Sequence, residues 1–267
     1  MKHHLFDDGI AICGDSTHSE TIDLVKSHVE SVQLVCTDPP YGNILREGWD
    51  RWGGTQSSFV DWMVSWTKSY QDLLTPQGAM YVWGGYGVPG FRPFFEYASR
   101  VEGETGMKIS NFITWSKKRA YGVQHNYLST REEILYMVKG DIKKPRVFNV
   151  PLLETKRGYA GYNAKYPAKS EFYRRTSVWT DINELFSGKV HPTQKPCRVF
   201  EIPIEVNTSP GEWIIDPFAG SGAAAFAARK LGRKFIVIER DEGHYDRFVE
   251  KLSESKSSEE PEGQEQE

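Results

Sequence analysis

Thr37-Asp38-Pro39-Pro40-Tyr41-Gly42 sets a carboxylate, two prolines and a phenol side by side, directly after the apolar run Leu34-Val35-Cys36. Two prolines fix their φ angles and remove two N–H donors, which leaves a stiff loop with free carbonyls. Such a loop suits a planar amine. The lone pair of an exocyclic base nitrogen is delocalised into its ring, so the nitrogen is a poor nucleophile; two acceptors gripping its N–H bonds would localise that pair. Asp38 and the Pro39 carbonyl can be those acceptors, while Tyr41 can stack on the base.

A second stretch, Asp216-Pro217-Phe218-Ala219-Gly220-Ser221-Gly222, lies between the apolar run Trp213-Ile214-Ile215 and an alanine-rich segment. At a strand-to-helix junction, glycines let the backbone approach a ligand closely and the helix start offers unpaired N–H groups. Glu239 ends the next apolar run, where a carboxylate can accept both hydroxyls of a ribose. A Gly-Ser-Gly turn alone is weak evidence, but its pairing with Glu239 makes a nucleoside site the better reading. Gly220 to Ala225 also fits a dinucleotide pattern, so an NAD-dependent oxidoreductase stands as a rival. Asp216 argues against it: a pyrophosphate gains nothing from added negative charge, whereas an amino-acid ligand with an ammonium group tolerates the acid.

The elements that must carry these motifs follow from periodicity. Ile10 to Cys13 and Val32 to Cys36 read as strands with a helix between them. Phe59, Met63, Trp66, Tyr70 and Leu73 recur at helical spacing and stop at Thr75-Pro76-Gln77-Gly78. Ala79–Trp83 reads as a strand, Phe91–Val101 as a helix, and Ile109–Trp115 and Glu133–Val138 as strands. After residue 140 periodicity fades, and from Trp213 a βαβ unit returns: the strand, the glycine bend, a helix Gly222–Leu231, a strand Phe235–Ile238 and a last helix to Leu252. The expected fold is therefore α/β, a Rossmann-like doubly wound sheet with an inserted recognition region. The expected organisation is residues 1–140 as a catalytic half, 141–190 as a basic aromatic insertion for target recognition, 191–253 as a cofactor-binding half, and 254–267 as a disordered acidic tail.

At 267 residues with 39% hydrophobic and 13% aromatic content, the chain can bury a full core, which excludes disordered and fibrous classes. No run reaches the roughly 20 apolar residues of a membrane span, and Met1 to Asp8 lacks a signal peptide's apolar stretch, so a cytosolic, cytoplasmic protein with no membrane partner is expected. Cys13, Cys36 and Cys197 are too few and too scattered for a disulfide framework or a zinc site, and no metal is expected. The net charge of -3 hides an uneven distribution. From Lys143 to Arg175, nine basic residues (Lys143, Lys144, Arg146, Lys156, Arg157, Lys165, Lys169, Arg174 and Arg175) face only Glu154 and Glu171, interleaved with tyrosines. Such clustering suits phosphate.

Taken together, the two motifs make the chain resemble the amino-methyltransferases of DNA that modify adenine-N6 or cytosine-N4. The order is the permuted, β-type one, with the catalytic motif before the cofactor motif. The resemblance spans nearly all of residues 9–253: Gly14-Asp15, Asp-Pro-Pro-Tyr, Gly78-Ala79-Met80-Tyr81-Val82, Ile113-Thr114-Trp115-Ser116-Lys117, His191-Pro192-Thr193-Gln194-Lys195-Pro196, and Asp216 to Gly222. It implies S-adenosyl-L-methionine as cofactor, with Asp15 on its adenine and Glu239 on its ribose. Phe218, Ala219, Gly220, Ser221 and Gly222, beside Asp216, would hold its methionine end together with His191, Thr193 and Lys195. Asp38, Pro39, Pro40 and Tyr41 would form the catalytic loop. The implied partner is double-stranded DNA, with a cognate restriction endonuclease as a candidate companion and a monomer or homodimer as the working unit. Adenine is preferred because the loop begins with Asp; Ser is commoner there in the cytosine-N4 branch. Ala223 and Ala224 stand where the family often has threonines, Val237 where it often has glycine, and Pro203 falls within the helix expected after Pro196. A methyltransferase acting on RNA or protein amide, and an idle DNA-binding module, complete the alternatives.

Overall fold

Runs of apolar residues without strict alternation become strands here because helices cover both faces of the sheet. The computed structural model describes residues 1–43, 48–85, 87–121, 125, 127–156, 170–183 and 195–255. Along the chain these form β1 (Lys2–Phe6), β2 (Gly9–Cys13), α1 (Ser19–His28), β3 (Val32–Thr37), α2 (Gln56–Leu73), β4 (Leu74–Gly84), α3 (Pro93–Glu104), β5 (Met107–Tyr121), β6 (Ser129–Lys139), β7 (Leu152–Lys156), β8 (Phe172–Arg174), β9 (Val178–Trp179), α4 (Cys197–Asn207), β10 (Trp213–Asp216), α5 (Ala223–Lys230), β11 (Lys234–Glu239) and α6 (Glu242–Glu254). The main sheet has the order β1-β2-β11-β10-β3-β4-β6-β5-β9, and β7 and β8 make a separate ribbon.

Five neighbouring strands, β2, β11, β10, β3 and β4, run parallel, so their carboxyl ends meet along one edge. β6 runs antiparallel between β4 and β5. Alternate residues of β3 feed two cores. Leu34 and Cys36 pack with Val199, Phe200, Ala224 and Phe248 from α4, α5 and α6. Val35 faces Val25, Phe59, Trp66 and Tyr97 from α1, α2 and α3. This is the doubly wound arrangement expected of the sequence, and ligands in such sheets sit outside the carboxyl ends where the connections change face.

Local chemistry sets the elements nearest that edge. The N-terminal cap of α2 is Thr55, whose side chain accepts from the Ser58 N–H at 3.2 Å. The five periodic apolar residues from Phe59 to Leu73 are all buried. The helix ends where the pattern ends, but Thr75-Pro76-Gln77-Gly78 enters β4 directly, with Gln77 at φ 62°. α4 runs through Pro203. An interior proline lacks the N–H that would bond four residues back, and the helix persists because Val199, Phe200, Ile202, Ile204 and Val206 are buried along it. β1 was not expected: its sequence, Lys-His-His-Leu-Phe, is largely exposed and pairs with β2 as an antiparallel edge. Among the described residues no helix is long and apolar enough to cross a membrane.

The described residues of the basic stretch that begins at Lys143 lie in two places. Arg146 donates to Gln33 at 2.7 Å and to Glu212, and its N–H bonds the Gln77 carbonyl at 3.2 Å. Those partners lie at the amino ends of the strands, opposite Asp38. Residues 170–182 climb to the other end, where β9 pairs with β5 at Thr114 and Trp115 and the Ile182 carbonyl accepts from the Trp115 indole at 3.1 Å. Arg175 is buried and forks onto Asp181 at 2.6 and 2.7 Å. Residues 157–169, including Arg157, Lys165 and Lys169, and the acidic tail from 256 lie outside the described residues.

Candidate active site

Parallel pairing delivers the key residues to one edge. Asp38 follows β3, Asp216 ends β10, Glu239 ends β11 and Asp15 follows β2, which pairs Cys13 with Glu239. Strands β3 and β10 are direct neighbours, with Ile214 opposite Leu34 and Ile215 opposite Val35. The Thr37 hydroxyl crosses between them to Asp216 Oδ1 at 2.6 Å. The two motifs, 179 residues apart in the chain, are thereby joined side by side.

On the glycine side, backbone N–H groups orient each acid. Glu239 Oε2 accepts from Gly220 N at 2.8 Å and Oε1 from Asp241 N at 2.7 Å. Each oxygen keeps a further lone-pair direction, so two hydroxyls can still be received. Burial raises the Glu239 carboxyl above the usual range. Asp216 Oδ1 also accepts from Phe218 N at 3.0 Å; burial pushes this acid up to about 7 against the pull of those bonds. Asp15 takes the N–H and hydroxyl of Thr17 at 2.9 and 2.6 Å, and these bonds, outweighing partial burial, lower its carboxyl. Gly220 and Gly222 hold φ of 53° and 77°, which only glycine adopts without strain. A Cβ on Gly222 would also press on Phe248 at 3.1 Å. Phe218 packs on Trp62 and Trp66 of α2, ring centroids 5.6 and 5.4 Å away. Ala223 and Ala224, in place of the family's threonines, are buried.

Long-range side chains hold the proline side. Tyr41 and Gly42 both direct their N–H groups at Asp50 Oδ1, each at 2.9 Å, which fixes the turn after the prolines. The Tyr41 hydroxyl donates to Asp38 Oδ1 at 2.8 Å and lies 3.3 Å from Glu132 Oε2. The Lys195 ammonium bonds Asp38 Oδ2, lies 3.0 Å from Glu132 Oε2 and reaches the Tyr41 oxygen at 3.2 Å. Lys117 donates to the other Glu132 oxygen at 2.5 Å. Burial raises the Asp38 carboxyl, opposed by Lys195 and reinforced by Glu132. Burial would raise Glu132 too, but Lys195 and Lys117 together bring it down to about 2. Lys195 is raised, its two carboxylates outweighing burial. The Tyr41 phenol is pushed well up, by burial first and then by Asp38 and Glu132.

Asp38, Pro39, Pro40, Tyr41, Asp15, Asp216, Phe218, Ala219, Gly220, Ser221, Gly222 and Glu239 therefore gather at one sheet edge. Lys195, expected beside the methionine end, has its ammonium on Asp38. His191 and Thr193 lie outside the described residues. Sequence reasoning passed over Glu132 and Asp50, and gave no role to Thr37 and Lys117 although both stand inside motifs it singled out. The available signal for Glu132 was a pair of acids at the head of the apolar run Ile134-Leu135-Tyr136-Met137-Val138, an unusual place for charge unless something meets it.

The chain matches the N6/N4 methylase family profile, described as DNA methylase, over residues 32–250. It is 32% identical over 235 residues to the DNA adenine methyltransferase YhdJ of Escherichia coli K12, covering 81% of this chain and 74% of that one. Against the type II methyltransferase M2.LlaDCHI of Lactococcus lactis subsp. cremoris it is 30% identical over 241 residues, with 84% and 83% covered. The crystal structure of the M1.HpyAVI–SAM complex superposes with a TM-score of 0.64 at 25% identity over 91% of this chain and 98% of that one. The cytosine-N4-specific PvuII DNA methyltransferase shares the fold at a TM-score of 0.63 and 21% identity, over 93% of this chain and 91% of that one. With the two motifs side by side on a common sheet edge and this match over most of its length, the chain belongs to the N6/N4 family of DNA methylases.

Proposed function

We propose that the protein transfers a methyl group from S-adenosyl-L-methionine to the exocyclic amino group of adenine in double-stranded DNA. The observation that carries this reading is the 2.6 Å bond from Thr37 to Asp216, which sets an amine-gripping acid next to a bend suited to an amino-acid nucleoside.

The donor set fits that cofactor. Two raised acids, Asp216 and Glu239, await a cation and hydroxyls, and the positive-φ glycines leave their backbone bare. Glu239 would hold the ribose, Asp15 the adenine, and Asp216 with residues 218–222 the methionine end, joined by His191 and Thr193. When bound, the sulfonium supplies the methyl group. The chain's own work is positioning. Asp38 and the Pro39 carbonyl take the two N–H bonds of the target amine and turn its lone pair outward, and Tyr41 lies beside them as a stacking surface. A base must leave the duplex to reach them, which costs a few kcal/mol. Stacking returns about 1–3 kcal/mol, and phosphate contacts from the basic stretch that begins at Lys143 would supply the remainder. Adenine is favoured by the leading Asp38 and by the relative named as an adenine enzyme. The type II names of other relatives extend the reading to a companion restriction endonuclease.

The test is to incubate the protein with methyl-labelled cofactor and duplex DNA and digest the product to nucleosides. Label on N6-methyladenine is expected; label on N4-methylcytosine would change the base, and label confined to RNA or protein would overturn the reading. Methylation-sensitive sequencing of DNA from expressing cells then reports the recognition sequence.

A further inference from the structure

We propose that Glu132 is a positioning residue that takes Lys195 from Asp38 when the target amine enters. The inference rests on the methyl-transfer reading above. Both oxygens of Asp38 are engaged: Oδ1 by the Tyr41 hydroxyl at 2.8 Å and Oδ2 by the Lys195 ammonium. Each oxygen keeps a second lone-pair direction, but an amine that donates to Oδ2 beside a seated ammonium must share that oxygen's charge with it, and moving the ammonium aside leaves the amine the stronger acceptor. The Lys195 side chain is 6% exposed, so it has no water to retreat to, and a buried cation stripped of its counter-charge is strongly disfavoured. Glu132 removes the difficulty. Its Oε2 lies 3.0 Å from Lys195 Nζ, and its Oε1 is pinned by Lys117 at 2.5 Å, so a short shift of the lysine exchanges one carboxylate for the other.

Charge balance supports the exchange. Asp38 and Glu132 face Lys195 and Lys117, two acids against two bases, and a neutral amine replacing one Lys–Asp contact leaves that sum unchanged. The target nitrogen gains positive character as the methyl arrives, and an ammonium still seated on Asp38 would repel it. With Lys195 held by Glu132, Asp38 faces the nitrogen alone. Glu132 thus acts through Lys195 without touching the base.

The test is a double-mutant cycle of Glu132→Gln and Lys195→Met, read as the single-turnover rate of methyl transfer at saturating duplex DNA and cofactor, with cofactor affinity and thermal unfolding measured on each variant. Expected is a loss of about tenfold or more for Glu132→Gln in the wild-type background, shrinking to within about threefold once Lys195 is Met, with cofactor affinity indifferent to Glu132. A glutamate acting independently of Lys195 would produce the same loss in both backgrounds, and that result overturns the proposal, as does a wild-type rate in Glu132→Gln. Should Glu132→Gln fail to fold, Glu132→Asp, which keeps the charge but withdraws it by one methylene, makes the same comparison. Absence of transfer to any DNA by the wild-type protein would instead sink the underlying function.

Discussion

The two sides of the site are held in different ways. At the glycine bend, Glu239 is oriented by the backbone N–H groups of Gly220 and Asp241, and Asp216 by the Phe218 N–H together with the Thr37 hydroxyl. At the proline loop, Asp38 is held by side chains: Lys195 from the head of α4 and, through it, Glu132 and Lys117 from β6 and β5. Backbone donors cannot swing away, so the bend is built before its ligand arrives. Side-chain ammonium groups can exchange partners, so the loop is able to release one contact and accept another. The fixed side suits a ligand that is always the same; the exchangeable side suits a base that must be admitted and let go.

The sharpest way to break this comparison is Asp38→Ala, expected to lower methyl transfer by roughly 10²–10⁴-fold while calorimetry finds cofactor affinity within a few fold of wild type. A parallel loss of cofactor affinity would mean the two sides are not separable. Glu239→Ala should do the converse. A charge-assisted bond is worth about 1.5–3 kcal/mol, so losing even one of the two ribose bonds should lower cofactor affinity by about tenfold to a hundredfold or more, and unchanged calorimetry would remove the ribose assignment.

A third expectation concerns pH. Asp216, pushed up to about 7, stays protonated in the free protein where an exposed aspartate has ionised. Its contribution to folding stability is therefore complete below about pH 4 and is lost as pH rises toward 7. A ligand ammonium favours the ionised acid, so cofactor affinity should climb by up to about tenfold per pH unit as pH rises toward 7 and then level off. Asp216→Asn should flatten the slope in isothermal titrations across that range. The smallest effect is expected of Thr37→Val, which severs the side-chain bond from Thr37 to Asp216. Denaturant unfolding should show a loss of about 1 kcal/mol. Because that bond helps hold the Asp216 carboxyl down, the midpoint of the affinity profile should also move upward.

The same contrast explains what could be read from the chain beforehand. Asp38 to Tyr41 and Asp216 to Gly222 are contiguous, and their roles follow from stiffness, carbonyls and positive φ, all local properties. The buried helix face of α2 was equally plain, since its spacing is its own signal. The meeting of Glu132 with Lys117 was invisible because it arises only through the pairing of β5 with β6, in which Trp115 stands opposite Glu132. Asp50 escaped notice for a related reason: its work is to receive two N–H groups eight and nine residues back, and a single acid in a polar loop gives no hint of it. The run of positive charge from Lys143 was legible as composition but not as geometry. Arg146 is spent on Glu212 at the far end of the sheet and Arg175 on Asp181. β1 was hidden by its polar residues, which an exposed edge strand tolerates.

The strand order also governs how the polypeptide must come together as it is made. β2 and β3 arise within the first forty residues, yet β11 and β10 are seated between them and are synthesised some two hundred residues later. Until then no strand is available to join the β1–β2 pair to the β3-β4-β6-β5 block. The wholly buried strand Val32–Thr37 presents an open, apolar flank, a template for pairing with other chains. Closure of the gap by the final βαβ unit is thus a late, long-range event, slow for reasons of loop entropy, and it completes the barrier to aggregation in the same stroke that assembles the enzyme. Ribosome-bound chains halted before Trp213 should therefore depend on chaperones in a way that chains released after α6 do not.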